Sequence, residues 1–171
     1  MLVASKSPLL GFGNVRKAKD RLASILNAEA LLAIESEIEN NVNELYALAL
    51  THYRFAKRQP ASQWRQKTSR LYYAAYNASR ATRLYVHGEF STDASDHKQV
   101  GKLPDGFPNR STYSNQLGVL RSDRNLADYD HLSRAADLTN PVSEHTQIVR
   151  QYLDDVRDYL SSKGIELRGN P

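Results

Sequence analysis

Leu71-Tyr-Tyr-Ala-Ala-Tyr-Asn-Ala-Ser-Arg-Ala81 contains no glycine, no proline and no alternation of apolar with polar residues. Its small and apolar side chains recur at three and four: Leu71, Ala74, Ala75, Ala78 and Ala81, with Tyr85 one turn further on. That period belongs to a helix, in which successive residues turn by about 100°. The run of alanine leaves little side-chain bulk on the inner stripe, so a neighbouring helix can come close. Arg70, Asn77, Arg80 and His87 fall on an outer line, with Tyr73 beside it. One helix thus divides its surface between packing and chemistry. It is predicted to open at a Ser62 cap and to stop at Gly88.

The flanking segments keep the helical period. From Asn14 to Gln59 there is neither Gly nor Pro, and Leu31, Ile34, Ile38, Val42, Leu45, Ala49 and Tyr53 mark one face. This predicts one long helix or two, with Asn40-Asn41 as the expected break and Pro60 as the end. Residues 88–110 contain Gly88, Gly101, Gly106, Pro104 and Pro108, and read as a long loop with a short helical turn around His97 to Lys102. A third long helix is expected from about Ser111 to Leu138, with Tyr113, Leu117 and Leu120 inward. Asn140-Pro141 reads as a cap followed by proline at the first helical position. It opens a fourth helix, with Val149, Tyr152, Leu153, Val156, Tyr159 and Leu160 inward, which ends at Gly164. The expected fold is all-α, an antiparallel bundle of four to five helices. Residues 1–13 are expected as a flexible arm, 14–163 as the helical domain and 164–171 as a tail; 14–40 is a candidate extra helix.

Composition narrows the function. A chain of 171 residues with 40% hydrophobic content is long enough to bury one core without disulfides or metal. It has no cysteine, which excludes structural disulfides and thiolate zinc and fits a cytoplasmic location. Residues 1–13 are too short for a secretory core, and no apolar run approaches a membrane span, so no membrane partner is expected. The net charge of +4 is uneven. Residues 31–44 hold four glutamates and nothing basic, whereas 45–88 hold eight basic residues and no acid. Such a segment is either a solvated basic face balanced by acidic neighbours or a surface that meets a polyanion.

Arg121-Ser-Asp-Arg-Asn-Leu-Ala-Asp-Tyr-Asp-His131 carries the candidate chemistry. On a helix reaching Leu138, Arg124 and His131 are nearly two turns apart and leave the same face, roughly 10 Å apart along the axis. Asp128 lies between them and Asn125 borders them. A permanent cation and an imidazole that titrates near neutrality suit cleavage of a phosphodiester. Arg80 and His87 repeat the separation on the preceding helix and are the rival pair. For both, helix-local ion pairs such as Arg124 with Asp128 are the plainer reading. Arg121, Arg70 and Arg80 extend the basic face and, with Tyr129 as a base-stacking candidate, are the expected RNA-binding residues; Arg70 and Arg80 could equally pair with acids on the first helix. Asp93, Asp96 and His97 resemble a metal site, but loop acids and histidines more often cap and turn, and no metal or other cofactor is expected. Gly11-Phe-Gly13 lacks the Lys-Ser/Thr of a phosphate loop.

Three segments taken in order, Leu71 to Ala81, His97-Lys-Gln-Val100 and Leu120-Arg-Ser-Asp-Arg-Asn-Leu-Ala-Asp-Tyr-Asp130, resemble the HEPN superfamily (higher eukaryotes and prokaryotes nucleotide-binding domain). The likeness is to its small prokaryotic branch with a Tyr-Tyr-Ala helix and an Arg-x-x-Ala-Asp-Tyr helix. It covers residues 35–162 of this chain. Many members are metal-independent endoribonucleases with an Arg-x(4–6)-His motif, usually with a polar residue after the Arg, at the cleft of a symmetric homodimer. The resemblance therefore implies Arg124, His131, Asn125 and Asp128 as catalytic residues. It implies RNA, a second copy of the chain, and an antitoxin or nucleotidyltransferase as partners, and a role as a toxin of a toxin–antitoxin or phage-defence system. Members without the motif serve as nucleotidyltransferase partners or binding modules, which is the alternative. Asn77 stands where the branch often carries a histidine, and residues before about 40 have no clear counterpart. Cleavage in such a family uses the RNA 2′-hydroxyl as nucleophile and leaves a cyclic phosphate. It needs a base, an acid and cations; one chain offers one such His, a two-fold dimer two.

Overall fold

The computed structural model describes residues 7–171, and their regular structure is helical. The α-helices are α1 (Val15–Leu22), α2 (Ala28–Arg58), α3 (Trp64–His87), α4 (Arg110–Tyr129) and α5 (Val142–Ser162). Shorter 3-10 turns lie at Pro8–Phe12, Ala61–Gln63, Ala94–Gln99 and Ala135–Asp137. Among the described residues there is no strand, only an isolated bridge between Asn14 and Glu89. The expected all-α bundle is what forms.

Helix α3 is the central element, packed against α2, α4 and α5. Leu71, Ala74, Ala75, Ala78 and Ala81 are all fully buried, as their spacing predicts. The α5 stripe from Val149 to Leu160 is buried in the same way. Tyr46 of α2 reaches across the core to donate to the Leu153 carbonyl at 3.0 Å, so its hydroxyl is satisfied where water cannot enter.

Several boundaries differ from the expectation. The helical break before Pro60 falls at residues 23–27, not at Asn40-Asn41. Asn27 caps α2 by accepting from the Ala30 N–H at 2.8 Å. Asn41 and Asn43 instead donate back to the carbonyls of Glu37 and Glu39, one turn earlier, and α2 runs through them. Ser62 lies in a 3-10 turn, and α3 begins at Trp64 without a side-chain cap. Pro141, expected at N1, is instead the N-cap of α5, and the helix begins at Val142. Of the expected arm, residues 1–6 lie outside the described residues. Leu9 and Leu10 of the Pro8–Phe12 turn pack against the core.

The end of α3 is finished by the amino-terminal segment. Asn14 Nδ2 donates to the His87 carbonyl at 3.0 Å, the Val15 N–H to the Gly88 carbonyl at 2.8 Å, and Arg16 Nε to the Tyr85 carbonyl. Gly88 closes the helix at φ 69°, and a Cβ there would lie 2.6 Å from the Arg16 backbone nitrogen. Gly88→Ala is expected to cost about 2–3 kcal/mol, of which about 1–2 kcal/mol is the left-handed backbone and the rest the forced retreat of α1. A lower urea midpoint at unchanged slope would record it; an unchanged midpoint would contradict this account.

The third helix is shorter than expected: α4 stops at Tyr129, not near Leu138. Residues 130–141 are held instead by Asp123, buried on α4, which accepts from the Thr139 N–H at 2.9 Å and the Asn140 N–H at 3.2 Å. Its Oδ2 also lies 2.7 Å from His145 Nε2. Burial raises the Asp123 pKa, but the Thr139 and Asn140 amides and His145 outweigh it and hold the carboxyl below 3.8. A depressed carboxyl contributes stability above its unfolded pKa and loses it as pH falls through the folded value. Asp123→Asn should therefore cost about 1.5–3 kcal/mol at neutral pH. The gap from wild type should narrow below pH 3.8 in acid-unfolding curves; a gap independent of pH would contradict the ionic role.

Candidate functional site

Tyr113, Leu117, Leu120, Asp123 and Ala127 form the buried stripe of α4. That register sets Arg124 and Asp128 on the flank facing α3. The Arg124 side chain is only 11% exposed. Its Nη2 donates to the Tyr73 hydroxyl at 2.7 Å, its Nη1 to Asn125 Oδ1 at 3.1 Å and the Tyr129 hydroxyl at 3.3 Å, and its Nε lies 2.7 Å from Asp128 Oδ2. The guanidinium carbon sits 5.3–5.4 Å from the ring centres of Tyr72, Tyr73 and Tyr129. Burial works against its charge, but Tyr73 and Asp128 outweigh that and hold it more firmly protonated than a free arginine.

The partner expected for Arg124 is elsewhere. His131 is not on α4: Asp130 has turned to an extended conformation, and His131 begins an exposed turn. The cause is tertiary. Arg65 of α3 donates to the carbonyls of Ala127 at 2.8 Å, Asp130 at 2.7 Å and Ser133 at 2.6 Å. A cation at a helix C-terminus satisfies carbonyls that would otherwise lack donors. Asp130 then accepts from the Leu132 N–H and the Ser133 hydroxyl, locking the turn. His131 stands there between Tyr129 and Leu132, which are 73% and 78% exposed. The expected stripe of Arg124 and His131 on one helix face does not form.

A different imidazole approaches Arg124. His97 Nδ1 lies 2.7 Å from the Tyr72 hydroxyl. Its ring stacks on Tyr76 at 4.3 Å between centres and meets Tyr73 edge-on at 6.1 Å. Arg124 and His97 therefore share Tyr72 and Tyr73. Burial and then the Arg124 charge push the His97 pKa below 6.5, so the ring is neutral at neutral pH. His97 belongs to the Ala94–Gln99 turn, which is moored by its neighbour Asp96. That carboxylate takes two bonds from Arg83, at 2.9 and 3.1 Å, and one from the Tyr76 hydroxyl at 2.8 Å. Arg83 and Asp96 are 3% and 4% exposed.

Comparison with family models, with curated proteins and with solved structures returns no match.

The remaining expected site residues divide. Arg70 and Arg121 remain accessible, and Arg70 approaches His52 Nδ1 at 3.2 Å and lies over Phe55. Burial and the Arg70 charge depress the His52 pKa. Arg80 is committed elsewhere: it donates to the Ser91 carbonyl at 2.8 Å, lies 3.6 Å from Asp96, and packs over Phe90 and Tyr76. It holds the loop after α3 rather than lining an exposed stripe with His87. Asn77, also placed on the outer line, is buried and donates to the Tyr73 carbonyl. Thus Arg65, Arg80 and Arg83, three of the eight basic residues in 45–88, are committed to partners within the protein. Among the described residues no three acids or histidines converge on a metal-sized site. No helix of the described residues is long and apolar enough to cross a membrane.

Beside Arg124 opens a cleft of about 480 Å³ between the end of α2, the start of α3 and the end of α4. Tyr73 and Asp128 line it and also touch Arg124, so cleft and cation are continuous. Two features escape the sequence reading: His97 as the imidazole near Arg124, and Arg65 as the brace of the turn that carries His131. The His97-Lys-Gln-Val segment supplied a signal for the first; a lone arginine at the start of a helix supplied none for the second.

Proposed function

We propose that the protein is a metal-independent endoribonuclease in which Arg124 stabilises a phosphodiester and His97 removes the proton of the attacking 2′-hydroxyl. The observation that supports it most is the shared seat of the two groups. A neutral imidazole and a permanent cation rest on the same two tyrosines, Tyr72 and Tyr73. A base must be unprotonated to act, and the charge that depresses His97 is the one a phosphorane needs beside it. The bond from the 2′-oxygen to phosphorus forms as the bond to the 5′-oxygen breaks, giving a cyclic phosphate and a 5′-hydroxyl. DNA lacks the nucleophile and is not cut. Asn125 and Asp128 orient Arg124. Arg70 and Arg121 attract the backbone, and Tyr129 offers a face to a base.

His131 supplies the proton to the leaving oxygen. Its exposed turn, flanked by Tyr129 and Leu132, suits a homodimer in which a second copy brings its own His131 to the cleft. The HEPN likeness supplies the biological role: a toxin of a toxin–antitoxin or phage-defence system, restrained by an antitoxin or a nucleotidyltransferase. The test is cleavage of bulk RNA in EDTA. Arg124→Ala is expected to lose about 10²–10³-fold and His131→Ala about 10²-fold, with cyclic phosphate ends on the wild-type products. Equal rates for all three proteins would remove the assignment.

A second reading has one observation in its favour. Arg124 already meets four protein groups, on Tyr73, Asp128, Asn125 and Tyr129, so an incoming phosphate must displace some of them. A non-catalytic module binding RNA, a nucleotide or a nucleotidyltransferase would leave them in place. It would retain RNA binding, yield no cyclic phosphate, and express without arresting growth.

A further inference from the structure

We infer that the cleft beside Arg124 is a base subsite, and that it selects guanine next to the scissile phosphate. The inference rests on the ribonuclease reading for its position but not for its chemistry. The cleft measures about 480 Å³, within the range of small-molecule sites and enough for one nucleoside. Its walls offer three flat surfaces. Phe55 and Tyr73 present aromatic rings, and the Arg70 guanidinium lies 5.1 Å from the Phe55 ring centre. Phe55 backs the Arg70 guanidinium, and a heterocycle entering the cleft stacks on that guanidinium beside Tyr73, which accepts any base.

Selection comes from the polar rim. Asp128 lines the cleft as a carboxylate paired with Arg124, and an ionised carboxylate only accepts hydrogen bonds. Its contacts with Arg124 and with the Ser69 hydroxyl, at 2.7 and 3.4 Å, both fall on Oδ2. Oδ1 is therefore the atom left to accept from a ligand. The Watson–Crick edge of guanine presents two adjacent donors, N1–H and the N2 amino group, with O6 as an acceptor beside them. Gln66, also on the wall, carries an amide that can donate to that O6. Both donors can converge on Oδ1, which has a lone pair for each; uracil offers one donor, cytosine and adenine one amino group each, so none of them brings two adjacent donors to that oxygen.

The molecule carries its own reporter. Trp64 is the only tryptophan, and its ring packs 4.5 Å from the guanidinium carbon of Arg65, which lines the cleft. Full-length protein is titrated with GMP, AMP, CMP, UMP and inorganic phosphate while tryptophan emission is followed. GMP is expected to bind about tenfold more tightly than the other nucleotides, and phosphate alone more weakly still. Phe55→Ala and Arg70→Gln should each weaken all four nucleotides about tenfold, through lost stacking. Asp128→Asn should abolish the preference for GMP without abolishing nucleotide binding.

Equal affinity for the four nucleotides would overturn the proposal, as would inorganic phosphate matching GMP or a folded Phe55→Ala protein binding GMP as wild type does. Guanine-selective binding without any Arg124-dependent RNA cleavage would sink the ribonuclease reading and leave the subsite standing. Arg124-dependent cleavage with no mononucleotide binding would do the reverse.

Discussion

His97→Ala is expected to slow RNA cleavage by about 10²–10⁴-fold, the usual contribution of a positioned general base. The fold should survive, because the ring is only half-buried and its turn is held by Asp96 and not by the imidazole. The pH profile distinguishes a base from a merely structural side chain. Burial and the Arg124 charge set the folded His97 pKa below 6.5. The neutral base is fully populated above that value, so the rate should rise through a lowered pKa and level off before neutrality. Arg124→Gln removes one of the depressing charges. The acid limb of its residual activity should move to higher pH, as should the His97 midpoint followed by NMR. A midpoint that stays still in Arg124→Gln would separate the two groups and remove the mechanism. The same sign governs stability: a histidine whose folded pKa is depressed contributes above its unfolded value and loses that contribution as pH falls.

Asp96→Ala is expected to destabilise the fold by about 3–5 kcal/mol, more than Gly88→Ala or Asp123→Asn. The cost does not measure the worth of the ion pair. It arises because Arg83 would stay charged, buried and without its two acceptor bonds, while the Tyr76 hydroxyl lost its partner too. Burial raises the Asp96 pKa, yet Arg83 and Tyr76 hold it below 3.8, so the pair is ionised at neutral pH. Replacing both members with apolar groups, as in Arg83→Met with Asp96→Leu, removes the orphaned Arg83 charge and should recover part of the loss, the remainder falling on Arg80 and the Tyr76 hydroxyl, which also lose the carboxylate. Urea unfolding of the single and double variants decides it. A loss below about 1 kcal/mol for Asp96→Ala would mean that Arg83 finds other partners and that the pair is no anchor. Where Asp96→Ala remains folded, His97 should shift away from Tyr72, and activity should fall with it.

The bundle was legible wherever one residue type settled the matter. The alanine stripe of α3 could serve only as a close-packing face, and the α5 stripe from Val149 to Leu160 follows the same period into the core. Gly88 ended α3 because only a left-handed residue fits there. The end of α4 could not be read in the same way. Between Tyr129 and Pro141 there is no glycine or proline, and the helix stops because Arg65, more than sixty positions earlier, takes its terminal carbonyls. Asp130 followed by Ser133, and Arg134 followed by Asp137, were local turn signals that the helical pattern masked. The site was half legible for the same reason. Arg124, with Asn125 and Asp128 beside it, could be placed from helical spacing alone. Its neighbour His97 depends on a buried arginine that in sequence looks like one more member of a basic run. Arg80 and Arg83 read as surface charge because nothing in a sequence distinguishes a guanidinium facing water from one facing a buried carboxylate.

The latch between α1 and α3 bears on how the chain can be altered by recombination. Three carbonyls at the end of α3 find their donors in Asn14, Val15 and Arg16, some seventy positions upstream. The amino-terminal segment is thus not an interchangeable module. A chimera bearing an unrelated leading segment would unzip the last turn of α3, and the unzipping would spread toward Arg83, the mooring of the His97 turn. Grafting experiments should therefore carry residues 14–16 and 85–88 together, as one inherited unit.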